Sequence, residues 1–376
     1  MEEPYDVPVD PQYPPSYNDV TVQHSSLGGG LTFVDFLPPC IRSWTLFKPM
    51  KFEGFRCLIT SANEWLRHNP SWEVKTCESV EFKAGSSGPK VEKMSYLEYG
   101  ERATHFMRCL RLWIVPRCDQ SRPPQQLDYI NLVPQEVDSG GLFSTPKYEM
   151  LHQMIDRYNS VVRFRPPPGV ADFVPEEIEP EDCCWSPIFE NFSNVLAKAS
   201  QWCAEQSGIR FCNAQSLEIK LHSGNDVDTQ QLSYSERSNA ITRYIRVLRV
   251  AYTKPLEGYF AEVPRLNLQC KTFVPVQLVR GSRTDFETLA ETKMRVEAWV
   301  RITGARVLSC ETPAMRLSWG KHFLDKLDSG STVNHGKRAE DWIFVIRLHI
   351  DGFYQDPPAG EMPPIPPLQE ECCGIL

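Results

Sequence analysis

The chain has 376 residues, 41% of them hydrophobic and 23% charged, the balance of an ordinary globular protein, and a length that suggests two or three domain-sized units. No apolar run approaches the ~18 residues a transmembrane helix needs, and Met1-Glu-Glu-Pro-Tyr5 has neither the basic nor the apolar region of a secretory signal. An odd count of 13 cysteines without such a signal points to free thiols in a reducing cytosol rather than a disulfide framework.

Charge is concentrated at the ends. Residues 1–30 and 351–376 hold ten acidic residues and no Lys or Arg, within a net charge of −8, so the body is near neutral. Such a body lacks the basic face expected of a nucleic-acid binder. The same two ends hold 11 of the 31 prolines. Missing backbone donors and like-charge repulsion make both tails extended, solvated and unpacked in expectation.

The first tail, residues 1–30, contains Pro14-Pro15-Ser16-Tyr17, a PPxY sequence. It resembles ligands of WW domains, whose aromatic grooves take preformed polyproline II chains, and the resemblance implies partners such as the Nedd4-type ubiquitin ligases. Tyr5-Asp-Val-Pro8 resembles the phosphotyrosine motif of Crk-type Src-homology-2 adaptors, where a phosphate on Tyr5 would pair with an Arg of the partner.

Residues 31–117 form a first repeat. Thr32-Phe-Val34 opens it. Phe55, Leu58, Ala62 and Trp65 make the buried stripe of an amphipathic helix that Pro70 ends. Trp72 to Phe82 alternates as a strand, Ser86 to Pro89 forms a loop, and His105 to Val115 reads as a second, more buried strand. Residues 118–170 are an insertion with one helix, Lys147 to Val161, and a proline spacer, Arg165-Pro-Pro-Pro-Gly169. Residues 171–256 are a second repeat, and residues 257–355 a connector and a third.

The three copies match in order. Phe52-Glu-Gly-Phe55, Phe189-Glu-Asn-Phe192 and Phe286-Glu-Thr-Leu289 precede Trp65, Trp202 and Trp299. Then follow Cys77-Glu-Ser-Val-Glu-Phe-Lys83, Ala214-Gln-Ser-Leu-Glu-Ile-Lys220 and Cys310-Glu-Thr-Pro-Ala-Met-Arg316. Ser95-Tyr96 matches Ser233-Tyr234, and each copy closes on an apolar run around Arg111, Arg249 or Arg347. Asp172-Phe-Val174 and Thr272-Phe-Val274 are read as the counterparts of Thr32-Phe-Val34. The expected fold is therefore α+β: three tandem β-α-β-β repeats, mostly antiparallel, helices on one face, flanked by disordered tails. Copies two and three are expected to pack as a pair, with copy one more independent.

Arg111, Arg249 and Arg347 are the candidate anion-binding set, because a planar guanidinium suits carboxylate or phosphate. The structural alternative pairs them across strands with Glu81 and Glu218, leaving Arg347 opposite Ala314. The three Trp residues read as core, and Cys77 and Cys310 as small hydrophobes. No Walker loop, GxGxxG, GxSxG or HExxH is present, so no catalytic residue, cofactor or metal is assigned.

The last segment, 356–376, is a proline-rich spacer ending Glu371-Cys-Cys-Gly-Ile-Leu376. Cys373-Gly-Ile-Leu376 fits the CaaX pattern for geranylgeranylation. With Cys372 the end resembles the double-cysteine tails of Rab-type small GTPases, although no GTPase loop lies upstream. Since one lipid binds only marginally, Cys372 would supply the second chain. The implied address is the cytoplasmic face of a membrane, and the implied role a lipid-anchored adaptor. An anionic-ligand or lipid-headgroup binding protein and a matrix-like budding protein are the alternatives.

Overall fold

The computed structural model describes residues 30–43, 45, 50–85, 88–99, 104–140, 146–162, 168–180, 187–206, 208–221, 227–231, 242–254, 265–317, 323–334 and 339–369. Among these the protein is a mixed α+β molecule with four α-helices and mostly antiparallel sheet. The first 29 residues lie outside the described residues, as do 370–376.

Three sheets share one strand order. In each, a closing strand lies between an opening strand and a second strand, all antiparallel. Unit one has Thr32–Phe36, His105–Pro116 and Trp72–Gly85 in these places. Unit two has Pro168–Phe173, Thr242–Thr253 and Arg210–Lys220. Unit three has Leu268–Phe273, Ile346–Asp351 and Val307–Glu311. The helices are α1 (Arg56–His68), α2 (Leu151–Val162), α3 (Phe192–Glu205) and α4 (Leu289–Thr303). Helices α1, α3 and α4 each join an opening strand to a second strand, while α2 belongs to the insertion.

Local chemistry explains these elements. Leu58, Ile59, Ala62 and Leu66 of α1 are buried, one apolar stripe at helical spacing, and Phe55 and Trp65 pack at its margin. Helix α4 begins with a capping box, Thr288 and Glu291 each accepting from the other's backbone, and ends on Gly304 at φ 63°. The closing strand of unit one is apolar on both faces. Leu110, Leu112 and Ile114 pack on α1, whereas Met107, Cys109 and Trp113 join the core of unit three.

Register corrects the opening motif. Arg111 lies opposite Asp35, Arg249 opposite Asp172, and Arg347 opposite Thr272. The counterparts are therefore Asp35-Phe-Leu-Pro38, Asp172-Phe-Val-Pro175 and Thr272-Phe-Val-Pro275, three residues beyond Thr32-Phe-Val34. The shared proline carries the physical point. A residue with no N–H ends pairing along a strand edge, and each opening strand stops at the Phe two residues earlier.

Beyond that point the closing strand takes its neighbour from another unit. Ser95–Tyr99 of unit one pairs with Ala339–Phe344, which leads into the closing strand of unit three. Ser331–Asn334 of unit three pairs with the start of the closing strand of unit two. Unit three thus sits between the other two. Unit one is as firmly joined to it as unit two, contrary to the expected independence of copy one.

Three other expectations change. Helix α2 starts at Leu151, because Lys147–Tyr148 pair with Glu136–Asp138. Pro168 and Gly169 belong to the opening strand of unit two rather than to a spacer, and a side chain at Gly169 would meet the Tyr252 ring at 2.9 Å. The segment from Gly352 to Gln369 is not unpacked. Tyr354 and Met362 pack on the core, and Asp356 accepts from Lys271 Nζ at 2.6 Å and Trp299 Nε1 at 2.8 Å. Gln369 exchanges 2.8 Å backbone bonds with Leu278 and Arg280.

The insertion covers the outer face of α1. Asn63 donates to the Leu127 carbonyl at 2.8 Å and accepts from its N–H at 2.7 Å, and Phe55 stacks edge-on with Tyr129. Asn63 stands two residues before Trp65, as Ser200 and Glu297 stand before Trp202 and Trp299. Ser200 meets Asn267 beside the opening strand of unit three, and Glu297 accepts from Thr32 in the opening strand of unit one. At α1 the insertion takes the place a neighbouring unit has at α3 and α4. Replacement of Asn63 by Ala should remove both bonds and lower stability by about 1–2 kcal/mol. Denaturant melts would show it, with faster amide exchange at Leu127.

Candidate functional site

The buried polar chemistry of the molecule lies at its two internal junctions. Between units one and three, Arg111 is wholly buried and donates through Nε and Nη2 to the two oxygens of Asp35, at 2.7 and 2.6 Å. Its Nη1 donates to Thr312 Oγ1 at 2.9 Å, and its guanidinium lies 4.0 Å from the Phe33 ring centroid. Glu78, opposite Arg111, accepts from the N–H and hydroxyl of Thr312, both at 2.7 Å, and from Trp113 Nε1 at 2.8 Å. Burial pushes the Glu78 carboxyl up, with Arg111, Thr312 and Trp113 pulling against it.

The junction between units three and two repeats this arrangement. Glu311, opposite Arg347, accepts from the N–H of Ser216 at 2.7 Å and its hydroxyl at 2.6 Å. Arg347 Nη1 donates to the same hydroxyl and lies 3.7 Å from Glu311. Its guanidinium sits 4.1 Å from the Phe192 ring centroid, at the start of α3. In both junctions a glutamate of one unit holds the backbone and hydroxyl of a Ser or Thr in the next. These residues come from the repeated Glu78-Ser, Gln215-Ser and Glu311-Thr pairs. The sequence signal was present, but nothing in it said that the Glu and the hydroxyl act across different copies.

One substitution distinguishes the second junction. Thr272 stands where Asp35 and Asp172 stand, so Arg347 has no carboxylate on its opening strand. Arg347 Nε finds no acceptor among the described residues. Glu311 serves Arg347 and has His349 Nε2 at 3.3 Å. Burial opposes its ionisation, but His349, Arg347 and Ser216 outweigh it and hold the carboxyl down at about 2.

The three candidate arginines are thus placed in three different layers. Arg111 and Arg347 lie in separate junctions, and Arg249 pairs with Asp172 at 2.7 and 2.8 Å and donates to the Thr229 carbonyl. They do not converge on one groove among the described residues. The expected partners Glu81 and Glu218 are corrected as well. Glu81 pairs with Arg108 at 2.7 Å and Glu218 with Arg246 at 3.4 Å. Successive strand residues alternate faces, so an offset of three puts these glutamates on the sheet face opposite the repeated arginines.

A cavity of about 250 Å³ lies at the junction of units two and three, lined by Ser216, Leu217, Glu218, Arg246, Pro313, Ala314 and Met315. Arg246 is buried and donates to the Leu327 and Ser329 carbonyls at 2.7 and 2.9 Å. Burial and the nearby Arg347 bring it down to about 10. Glu218 shares the wall, so the cavity is charge-balanced rather than cationic. No group of three potential metal-ligating side chains occurs among the described residues. Pro14, Pro15, Tyr17, Tyr5, Cys372 and Cys373 all lie outside the described residues.

Fold and junctions together define a layered α+β protein whose buried charges bind its own units to one another. No protein family, no curated protein and no solved structure matches the chain.

Removing Asp35 alone (Asp35→Ala) should cost about 3–5 kcal/mol, because Arg111 is left charged and buried. Arg111→Met combined with Asp35→Leu should recover most of that in chemical denaturation. Glu311 gives a pH signature. Its folded value of about 2 lies below the ordinary 4.5, so its contribution is full above about 4.5 and lost as pH falls through about 2. The stability gap between the wild type and Glu311→Gln should be flat near neutrality. It should then shrink by about 3 kcal/mol over that acid range.

Proposed function

We propose that this chain is a lipid-anchored adaptor on the cytoplasmic face of a membrane. Its three units are copies of one repeat and form the binding platform. Cys373 and Cys372 carry the anchor, and Pro14, Pro15 and Tyr17 recruit WW-domain proteins such as Nedd4-type ubiquitin ligases. Tyr5, once phosphorylated, is a site for Src-homology-2 adaptors.

The supporting observation is how the chain is held just before the lipidation residues. Gln369 is hydrogen-bonded on both sides to the 278–280 segment of the body. Cys372 follows three residues later, a reach of about 10 Å for an extended chain. A lipid placed there keeps the platform close against the bilayer instead of swinging on a long tether. No helix among the described residues is long and apolar enough to cross a membrane, so in this reading the contact is made by lipid chains. Two chains are needed, because one gives only marginal binding.

Copies of one repeat are supported by the common strand order, the shared Asp/Thr-Phe-Leu/Val-Pro motif and the twice-used junction. The anionic-ligand reading has less support, since Arg111, Arg249 and Arg347 are already engaged by protein groups. A matrix-like role requires the chain to associate with itself.

In eukaryotic cells the wild type should sediment with membranes and carry a lipid adduct by intact mass. Cys372→Ser/Cys373→Ser should be unmodified and soluble, and membrane fractionation of that variant unchanged from wild type would sink the anchor. Tyr17→Ala should abolish capture by immobilised WW domains without altering fractionation.

A further inference from the structure

We infer that the edge of the unit-one closing strand at Phe106–Arg108 accepts residues 232–234 of a second copy of this chain, so that the protein associates head to tail. The argument starts from the two internal junctions. In each, a short strand that begins with Ser pairs with the closing strand of the next unit or with the segment leading into it. Ser95 pairs with Ile343, and Ser331 with Ile245. Ser95 lies sixteen residues before Arg111, and Ser331 sixteen before Arg347. Ile343 and Ile245 each lie four residues before the Arg of the accepting unit. Donor and acceptor positions are therefore the same in both junctions.

One acceptor remains without a strand neighbour among the described residues, and the third donor sequence lies outside them. Ser233 lies sixteen residues before Arg249 and is followed by Tyr234, as Ser95 is followed by Tyr96. Met107 lies four residues before Arg111. The internal register then sets Ser233 against Met107 and Tyr234 against Phe106. Tyr96 stacks on Trp342 in the corresponding pair, ring centroids 6.0 Å apart and planes 6° from parallel. An aromatic pair is thus available at the third junction too.

The acceptor edge has the required character. The opening strand of unit one pairs with the closing strand only from Leu110 onward, before Pro38 turns it away. Among the described residues no strand borders the second edge of Phe106–Arg108. Phe106 is 36% exposed, whereas Tyr244, its counterpart beneath the added strand of unit three, is 5% exposed. An uncovered edge with an exposed aromatic is a template for strand addition. The helix notch of α1 is already filled by Leu127, so strand addition rather than full layer stacking is what this junction offers. Donor and acceptor are different surfaces, so the contact is heterologous and builds a ring or an open chain of copies. This inference does not depend on the lipid anchor or the WW motif.

The test uses the full-length protein with p-benzoylphenylalanine at Tyr234, mixed from heavy-isotope-labelled and unlabelled preparations and photolysed. Cross-links from position 234 to residues 104–108, joining heavy and light chains, are expected, with a mass by light scattering that rises with concentration. Phe106→Asp and Tyr234→Ala should each weaken association about tenfold. Phe106→Asp also removes the edge-on contact of Phe106 with Tyr96, 5.6 Å between ring centroids, so the unchanged melting temperature is expected of Tyr234→Ala. An equimolar mixture of those two variants retains one sound junction and should stop at dimers. Cross-links confined within single chains, cross-links elsewhere than 104–108, or a monomer mass at every concentration would each overturn the proposal.

Discussion

Each closing strand, taken in unit three together with the Ala339–Phe344 segment that leads into it, outruns the opening strand beside it, and the uncovered length of backbone must find hydrogen bonds elsewhere. That constraint organises the molecule. Pro38, Pro175 and Pro275 end the opening strands at equivalent places, because a proline cannot extend the ladder. In units two and three the exposed edge is covered by a strand from the neighbouring unit, which makes the sheets interdependent. A buried backbone edge without partners is costly, so units two and three are each completed by a strand from a neighbour.

The junction charges are subordinate to this geometry. Strand addition brings the second strands of adjacent units together, and only then can Glu78 reach Thr312 and Glu311 reach Ser216. Buried ions cost much desolvation and return it only when well paired. Their value here is in register: a slip of one residue turns each of these side chains to the other sheet face. Arg111 and Arg347 also lie over Phe33 and Phe192, rings from the same junctions. The repeated arginine thus marks the side on which a unit meets its neighbour.

The insertion between units one and two has a structural task at one end of the stack. Leu127 offers Asn63 a backbone N–H and carbonyl, the groups a neighbouring chain segment would bring. An outermost layer without such a cover would present an apolar helix face to water. The proline-rich segment that follows unit three is held by Lys271, Trp299 and Leu278, and so belongs to the body up to Gln369.

Local pattern determined the elements. Helical spacing in Phe55 to Trp65, the alternation from Trp72 and the doubly apolar closing runs follow from burial of one or two faces, which any neighbour could satisfy. The same pattern could not assign partners. Glu81 was a reasonable mate for Arg111 by composition, yet the twofold strand period puts them on opposite faces, and Asp35 became the partner only through register. Thr32-Phe-Val34 imitated the opening motif three residues early for the same reason, since a match of two or three letters does not carry register. The order of the layers, with unit three in the middle, depends on long-range strand addition between Ser95–Tyr99 and Ala339–Phe344. Hydrogen bonds between segments some 240 residues apart leave no local trace in a chain.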